Sequence, residues 1–265
     1  IGANTTLDAG SNQAISVGVN WDNRYGTFTS ASGTVTFNGT NNQIIYTGGV
    51  GTGNDFYNLT INNTGDPAGL DTETFGAIKV TGTLDVSDGL FIPATSSEFL
   101  DVTVSANGFL ETAGSSSITV SGNWSDAAGT FTPNTGTVVM DGTSKTIATG
   151  AGNEFNNLTI SGSVSTSTAN DVDVEGTLTV SGSLTVSPGD ELTLEDATVS
   201  GTLTVDATGS NATLDFSEAD NPVFGITGTL RLDGEDASNR AIVTSDNDSR
   251  IDFDITSSGV LNADY

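Results

Sequence analysis

The sequence predicts an all-β protein: a single, elongated parallel β-solenoid over residues 1–265, with three-sided coils of about 20 residues. Three observations predict this fold. No window of about 11 or more residues places apolar side chains at the period of an amphipathic helix. Short apolar–polar–apolar triplets, each followed by a turn signal, recur along the chain. One long stretch also repeats itself, which is typical of proteins built from stacked units.

The repeat has a period of about 103 residues, so that 15–40 recurs as 118–143. The match resumes at 56–61 and 155–160, where the offset has slipped to 99. Corresponding residues of the two copies, such as Phe28 and Phe131, are expected to be buried and to occupy equivalent places one repeat apart. The predicted organisation is a first long repeat at 15–117, a second at 118–220, and divergent end coils or a cap at 221–265.

The triplets predict short strands. Residues two apart in a strand share a face, so Leu59-Thr60-Ile61 points two apolar groups one way and one polar group the other. Triplets that begin at Val172, Leu178 and Leu184 follow too closely for a sandwich, whose strands have about five or six residues. About 13 coils of about 20 residues would fit the chain. Asn-Gly and Asp-Gly pairs, including those at 38–39, 88–89 and 107–108, predict corners with positive φ.

Three recurring motifs carry a resemblance to known proteins. They are Asn-Trp at 20–21 and 123–124, the Gly-Thr-Phe-Thr and Gly-Thr-Val motifs that follow each pair, and Phe-x-Asn-Leu-Thr-Ile at 56–61 and 155–160. Over 15–220 the chain resembles the repetitive right-handed β-helix segments of large secreted bacterial surface proteins and adhesins. The resemblance implies a right-handed solenoid and an extracellular location, and it carries no activity with it.

The charge composition excludes some partners. With 33 acidic and 6 basic residues the net charge is −27, so we expect no nucleic-acid binding, which needs clustered cations. No apolar run approaches the ~18 residues of a membrane helix, and we expect no membrane insertion. The chain has no Cys and opens at Ile1 without Met. This start predicts a secreted, mature extracellular or cell-surface protein whose signal segment has been removed.

We therefore expect a non-enzymatic extracellular structural protein, a subunit of a cell-surface filament or of an adhesive stalk. A solenoid leaves unpaired N–H and C=O groups on its first and last coils, and no capping helix can be read at either terminus. Stacking head to tail on copies of itself would continue the hydrogen-bond ladder as a homopolymer. A piece excised from a longer array would have the same ends. The expected partners are such copies, and an extracellular polysaccharide or a cell surface.

The main alternative is a carbohydrate-binding or polysaccharide-cleaving β-helix. Its aromatic and acidic residues would converge on one groove, and cleavage would need paired carboxyls about 5–10 Å apart. The chain has no His and few cations, so we expect no enzyme. Trp21 and Trp124 could stack on sugars, although matching positions in a repeat favour a place in the core.

A further alternative is an ice-binding solenoid. The sequence contains Thr-x-Thr pairs of the kind found in flat threonine arrays, at 27–29, 34–36, 130–132, 177–179 and 202–204. Equivalent slots of other triplets hold charged residues, namely Lys79, Asp85, Asp173, Asp215, Arg231 and Asp252. Threonine as a β-branched residue on an exposed sheet explains the pairs equally well.

Two acidic clusters are candidate calcium sites, because hard oxygen ligands with no nearby lysine suit that ion. They comprise Asp171, Asp173 and Glu175, followed by Asp246, Asp248, Asp252 and Asp254. No stretch matches a known calcium loop, and a solvated acidic face is the other interpretation. We expect no other cofactor.

Overall fold

The computed structural model confirms the all-β prediction. It describes residues 1–65, 71–167, 171–216, 223–235 and 237–244, together with the backbone of 252–255 and 260–264. Within these residues every regular element is a strand, and the strands pair in parallel as a β-solenoid of about ten turns. This part of the chain accordingly holds no helix that could cross a membrane. Two compact units divide the chain, unit 1 at Ile1–Gly136 and unit 2 at Thr137–Tyr265.

Most strands are short, and the longer ones continue through more than one side of a turn. Unit 1 contains β1 (Thr6–Asp8), β2 (Ala14–Val17), β3 (Trp21–Asp22), β4 (Thr27–Thr29), β5 (Thr34–Phe37), β6 (Gln43–Tyr46), β7 (Asn58–Asn62), β8 (Asp71–Phe75), β9 (Lys79–Ile92), β10 (Ser97–Glu111), β11 (Ser117–Val120), β12 (Trp124–Ser125) and β13 (Thr130–Thr132). Unit 2 contains β14 (Thr137–Met140), β15 (Lys145–Ala148), β16 (Asn157–Ile160), β17 (Ser163–Thr166), β18 (Val172–Val180), β19 (Ser183–Val186), β20 (Glu191–Val199), β21 (Thr202–Asp206), β22 (Ala212–Asp215), β23 (Val223–Ile226), β24 (Thr229–Asp233), β25 (Ala241–Thr244), β26 (Asp252–Ile255) and β27 (Val260–Asp264).

Each turn of unit 1 has three faces, as predicted. Face A contains β2, β5, β7, the middle parts of β9 and β10, and β12. Face B contains β3, β6, β8, the last parts of β9 and β10, and β13. Face C begins with β1 and β4 and continues through Phe56 to the first parts of β9 and β10 and to β11. The triplets therefore form one side of a turn each.

Apolar residues form columns because the parallel register places like positions over one another. The column of face A in unit 1 is Ile15, Val35, Leu59, Leu84, Val102 and Trp124. In unit 2, Leu158 is paired with Leu178 and Leu178 with Ala197, whereas the next partner, Phe224, lies 27 residues further on. Longer connections at the corners therefore explain why there are about ten turns and not 13. Strands at 223–264 continue the parallel pairing, as end coils would.

The two sequence copies are rotated with respect to each other by one face. Ile15 belongs to face A, and four turns plus two faces separate it from Ile118, which lies on face C. Trp21 lies on face B and its counterpart Trp124 on face A. The expectation of equivalent places was therefore wrong, because a triplet fills one third of a turn and fits any face. Burial is confirmed for the corresponding core residues, namely Phe28, Phe131, Val35, Val138, Leu59 and Leu158.

Glycine is needed at the corners mainly because the backbones of successive turns come close together there, and less because of a positive φ. Of the pairs singled out in the sequence, Gly89 has the expected positive φ of 82°, but Gly39 and Gly108 do not. A Cβ on Gly108 would lie 1.9 Å from the carbonyl oxygen of Val86. In unit 2 the corner glycines are stacked, and a Cβ on Gly182 would lie 1.9 Å from the carbonyl oxygen of Gly162. The adjacent N–H of Ser183 donates to that same oxygen at 2.8 Å.

Replacing Gly182 with alanine should therefore destabilise the protein. The added methyl group must push against a backbone oxygen that is held in the ladder, so we expect a loss of about 1–3 kcal/mol, the usual cost of overpacking. The melting temperature should fall by several degrees. The matched control is Gly225→Ala in β23, where the nearest atom to the new Cβ is 4.0 Å away. Equal melting temperatures for the two variants would contradict the steric account of the corner.

Candidate functional site

Both tryptophans belong to the core. Trp21 and Trp124 are 8% and 0% exposed, and each packs edge-on against the phenylalanine seven residues later, with centroids 5.0 Å apart for Phe28 and 4.8 Å apart for Phe131. The two copies thus repeat the same packing on different faces. The structure therefore confirms the core interpretation of the tryptophans and excludes them as surface platforms for sugars.

A different set of aromatic residues is exposed on face B of unit 1. The ladder pairs Asp22 with Tyr46 and Tyr46 with Phe75, so these three residues occupy successive outward positions on β3, β6 and β8. The inward neighbours are Trp21 and Ile45, which are buried. Successive side chains of a strand point to opposite sides, so the residue that follows each buried one points outward. The outward residues lie 24 and 29 positions apart in the sequence.

Four planar groups follow one another on this surface, and we call them the aromatic stack: Tyr25, Arg24, Tyr46 and Phe75. The guanidinium carbon of Arg24 lies 4.5 Å from the ring centroid of Tyr46 and 5.4 Å from that of Tyr25. The rings of Tyr46 and Phe75 are 5.7 Å apart at an interplanar angle of 51°. Tyr25 and Phe75 are 67% and 69% exposed, among the largest exposures of any apolar side chain described.

Asp22 fixes the arginine of the stack. Its carboxylate accepts hydrogen bonds from Nε of Arg24 at 3.0 Å and from a terminal guanidinium nitrogen at 2.7 Å, and also from the backbone N–H of Arg24 at 3.1 Å. Hydrogen bonds from the side chain and backbone of Arg24 lower the pKa of Asp22 to about 2. The bidentate geometry holds the guanidinium plane in one orientation at neutral pH. The positive charge of Arg24 is therefore balanced within the site.

The second sequence copy lacks the aromatic stack. Aligned with Asp22, Arg24, Tyr25 and Tyr46 are Ser125, Ala127, Ala128 and Ala148, respectively. The buried residues of the two copies agree, because Asn23 corresponds to Asp126 and both side chains are 1% exposed. The stack is therefore not needed to form this kind of turn. Comparison of the two copies at outward positions was the signal that could have identified these residues from the sequence.

The first predicted calcium cluster lies on the outer surface of unit 2. Asp171, Asp173 and Glu175 alternate with the buried Val172 and Val174, as the strand period predicted. Asp171 and Asp173 line an open cleft of about 360 Å³ together with Glu191 and the loop 149–153. The backbone N–H of Glu191 donates to Oδ1 of Asp171 at 3.0 Å.

No three acidic side chains in the described residues converge closely enough to hold a metal ion. Of the second cluster, Asp246 and Asp248 lie outside the described residues, and only the backbone of Asp252 and Asp254, on β26, is described. Calcium binding at either cluster stays a prediction.

Two carboxyls of this surface hold protons more tightly than usual. Burial raises the pKa of Glu191, and the carboxylates of Asp215 and Asp171 raise it further. Burial also raises the pKa of Glu154, and Glu175 adds to the rise by charge repulsion and a hydrogen bond between the two side chains. Acidic crowding therefore destabilises this surface when both groups ionise.

Hydroxyl groups form regular columns elsewhere in unit 2. One column comprises Thr159, Thr179 and Thr198, on β16, β18 and β20. The next face carries Ser165, Thr185 and Thr204, and this column ends at Arg231. Two of the charged slots noted in the sequence, Asp173 and Asp215, follow a separate ladder. Asp85 interrupts the threonine column of unit 1, where it pairs with Thr60. The array is regular over three turns, and ice binding stays a prediction.

No protein family, no curated protein and no solved structure matches the chain.

Replacing Glu154 with glutamine should stabilise the protein at pH 7 and not near pH 4. The folded-state pKa of Glu154 is raised above its ordinary 4.5, so the stability that its proton provides is present at low pH and is lost as the pH rises through the folded pKa. Glutamine carries no charge at any pH, so the variant does not undergo this loss. Because Glu154 is only partly buried, we expect only about one or two degrees in melting temperature.

The control is Glu195→Gln, which removes the same charge from an exposed position on β20. Thermal unfolding of both variants and the wild type at pH 4 and pH 7 provides the comparison. An equal gain from Glu195→Gln would mean that overall charge, and not the Glu154–Glu175 contact, is responsible.

Proposed function

We propose that this chain is a non-enzymatic structural segment of an extracellular, cell-surface filament or adhesive stalk, in which β-solenoids stack head to tail. The observation that carries the proposal is the open backbone edge of its end strands. Among the described strands, β1, β2 and β3 each pair with one neighbour only, as do β25, β26 and β27. A further parallel strand would continue each of these ladders.

The edge at β2 is oriented for such an addition. Gln13 and Val17 accept hydrogen bonds through their carbonyl groups from Thr34 and Asn38, at 2.9 and 3.0 Å. Backbone groups alternate in direction along a strand, so the N–H and C=O of Ser16 point away from β5. The side chain of Ser16 is exposed and uncharged. Nothing on this strand, such as a lysine or a proline, protects the edge in the way natural sheets protect theirs.

Charge favours growth along the ladder over association side by side. The net charge of −27 places many carboxylates on the faces of the turns, including the cleft of unit 2. Lateral contact would bring such faces together, whereas addition of a turn makes backbone hydrogen bonds. A head-to-tail contact that does not close on itself produces a fibre. A neighbouring solenoid in a longer array would use the same edges as a second copy.

The acidic pair of unit 2 argues against the polysaccharide-cleaving alternative. Glycosidases separate their two carboxyls by about 5–10 Å so that a sugar or a water fits between them. Glu175 is instead close enough to Glu154 for its charge to help raise the pKa of that carboxyl. The extracellular location is supported by a composition rich in Thr, Ser, Asn, Gly and Asp and poor in Lys, and by the resemblance of the repeated motifs to those of bacterial surface proteins.

Ser16→Pro should abolish head-to-tail assembly and preserve the fold. Proline removes the N–H that points to the open edge, and its ring blocks a further strand, yet the hydrogen bonds from β2 to β5 do not use this N–H. The wild type should form concentration-dependent polymers at about 0.15 M salt, where charge repulsion is screened beyond ~8 Å. Sedimentation velocity and negative-stain electron microscopy give the measurement.

Ser16→Thr keeps the N–H and should assemble like the wild type. Circular dichroism of all three proteins checks that each remains folded. Monodisperse wild-type monomers at high concentration, or polymers of Ser16→Pro that match the wild type, would contradict the stacking of copies through this edge.

A further inference from the structure

We propose that the aromatic stack, Tyr25, Arg24, Tyr46 and Phe75, is a binding site for a neutral polysaccharide. This site consists of side chains on the outward surface of β3, β6 and β8 and on the loop that follows β3, whereas the proposed function uses backbone groups of the end strands. The inference depends on the exposure of the rings, on the balance of charge, and on the contrast between the two sequence copies.

The exposed rings have the chemistry that a sugar chain requires. A pyranose ring presents flat patches of C–H groups and a rim of hydroxyls. Tyr25 and Phe75, both about two-thirds exposed, offer apolar faces that would otherwise contact water. Polar groups lie beside them, since the Asp22 carboxylate and the Arg24 guanidinium can accept from and donate to sugar hydroxyls.

Charge selects a neutral ligand. The guanidinium of Arg24 is already paired in bidentate fashion with Asp22, so the stack provides no free cation to attract a uronate or a sulfate. The rest of the chain, with a net charge of −27, repels anionic polymers at longer range. An uncharged glycan needs no free cation for binding and is not repelled by the negative charge of the chain.

Shape and size select a polymer. Adjacent parallel strands are about 4.7–4.9 Å apart, so the rungs of Asp22 and Phe75 are separated by about 10 Å, roughly two sugar units. The stack lies on an open sheet surface, and an extended chain can follow such a surface from rung to rung. A protein partner fits less well, because three aromatic side chains supply at most about 450–750 Å² and a standard interface needs about 800 Å² from each partner.

The second sequence copy shows which residues this kind of turn needs in order to form. It forms the same buried tryptophan–phenylalanine pair while carrying Ser125, Ala127 and Ala128 in place of Asp22, Arg24 and Tyr25. The exposed aromatic residues of the first copy are therefore additions to a turn that forms without them. Exposed rings that do not stabilise the fold are candidates for binding.

The test is retention of the purified full chain by neutral polysaccharides. The probes are insoluble cellulose and chitin in depletion assays, and soluble β-glucan, mannan and arabinoxylan in affinity electrophoresis, with alginate as the anionic comparison. We expect at least one neutral polysaccharide to retain the wild type. The triple variant Arg24→Ala/Tyr25→Ala/Tyr46→Ala, which gives the first copy the residues of the second, and the single variant Phe75→Ala should each bind about tenfold or more weakly.

Phe109→Ala is the matched control, because it removes an exposed aromatic ring from β10, outside the aromatic stack, and should leave binding unchanged. At concentrations too low for the wild type to assemble, the Ser16→Pro chain should bind like the wild type, which separates sugar recognition from assembly. Melting temperatures of all variants should stay within a few degrees of one another. Absence of retention by every neutral probe, stronger retention by alginate, or undiminished binding of both stack variants would overturn the proposal.

Discussion

The backbone hydrogen-bond ladder between successive turns is the constraint on which the rest of this structure depends. Each rung requires the next turn to lie one strand spacing away, in parallel and in register. Apolar residues then align into columns such as Ile15, Val35 and Leu59, since the same position of each triplet always faces inward. The ladder also explains the corner glycines, because at Gly182 the carbonyl of the previous turn lies where a Cβ would be.

One consequence is that the triplet, and not the turn, is the unit that the sequence repeats. A triplet of two inward and one outward residue fits any of the three faces, so a duplicated stretch need not contain a whole number of turns. This accounts for Trp124 lying in the column of Ile15 and not in that of Trp21. The core tolerates the rotation because edge-on packing of tryptophan and phenylalanine involves two adjacent sides of one turn. Outward positions are freed from the requirements of packing, and they can diverge between copies.

This division explains how much could be predicted from the sequence. The strand period can be seen in a few neighbouring residues, and the repeat can be seen by comparing the sequence with itself. The fold class, the inward residues and the outward carboxylates of Asp171 to Glu175 could therefore be predicted. The neighbours of an outward residue were not, because they depend on the number of residues in each turn. Asp22, Tyr46 and Phe75 are adjacent rungs separated by 24 and 29 residues, and connections of variable length set those intervals. The same uncertainty gave too many turns.

The two proposed roles use parts of the ladder that do not compete. Assembly uses backbone groups at the edges of end strands, where Ser16 presents an N–H away from β5. Recognition uses side chains that project from the outside of paired strands, where Arg24 is fixed by Asp22 between two tyrosine rings. Adding a turn would occupy the open backbone groups, while side chains on the outward surface of β6 and β8, which are already paired, would keep facing outward. A stacked series of such chains would therefore repeat the aromatic stack at every copy, and weak binding of each stack to a long glycan would be strengthened by the number of copies engaged at once.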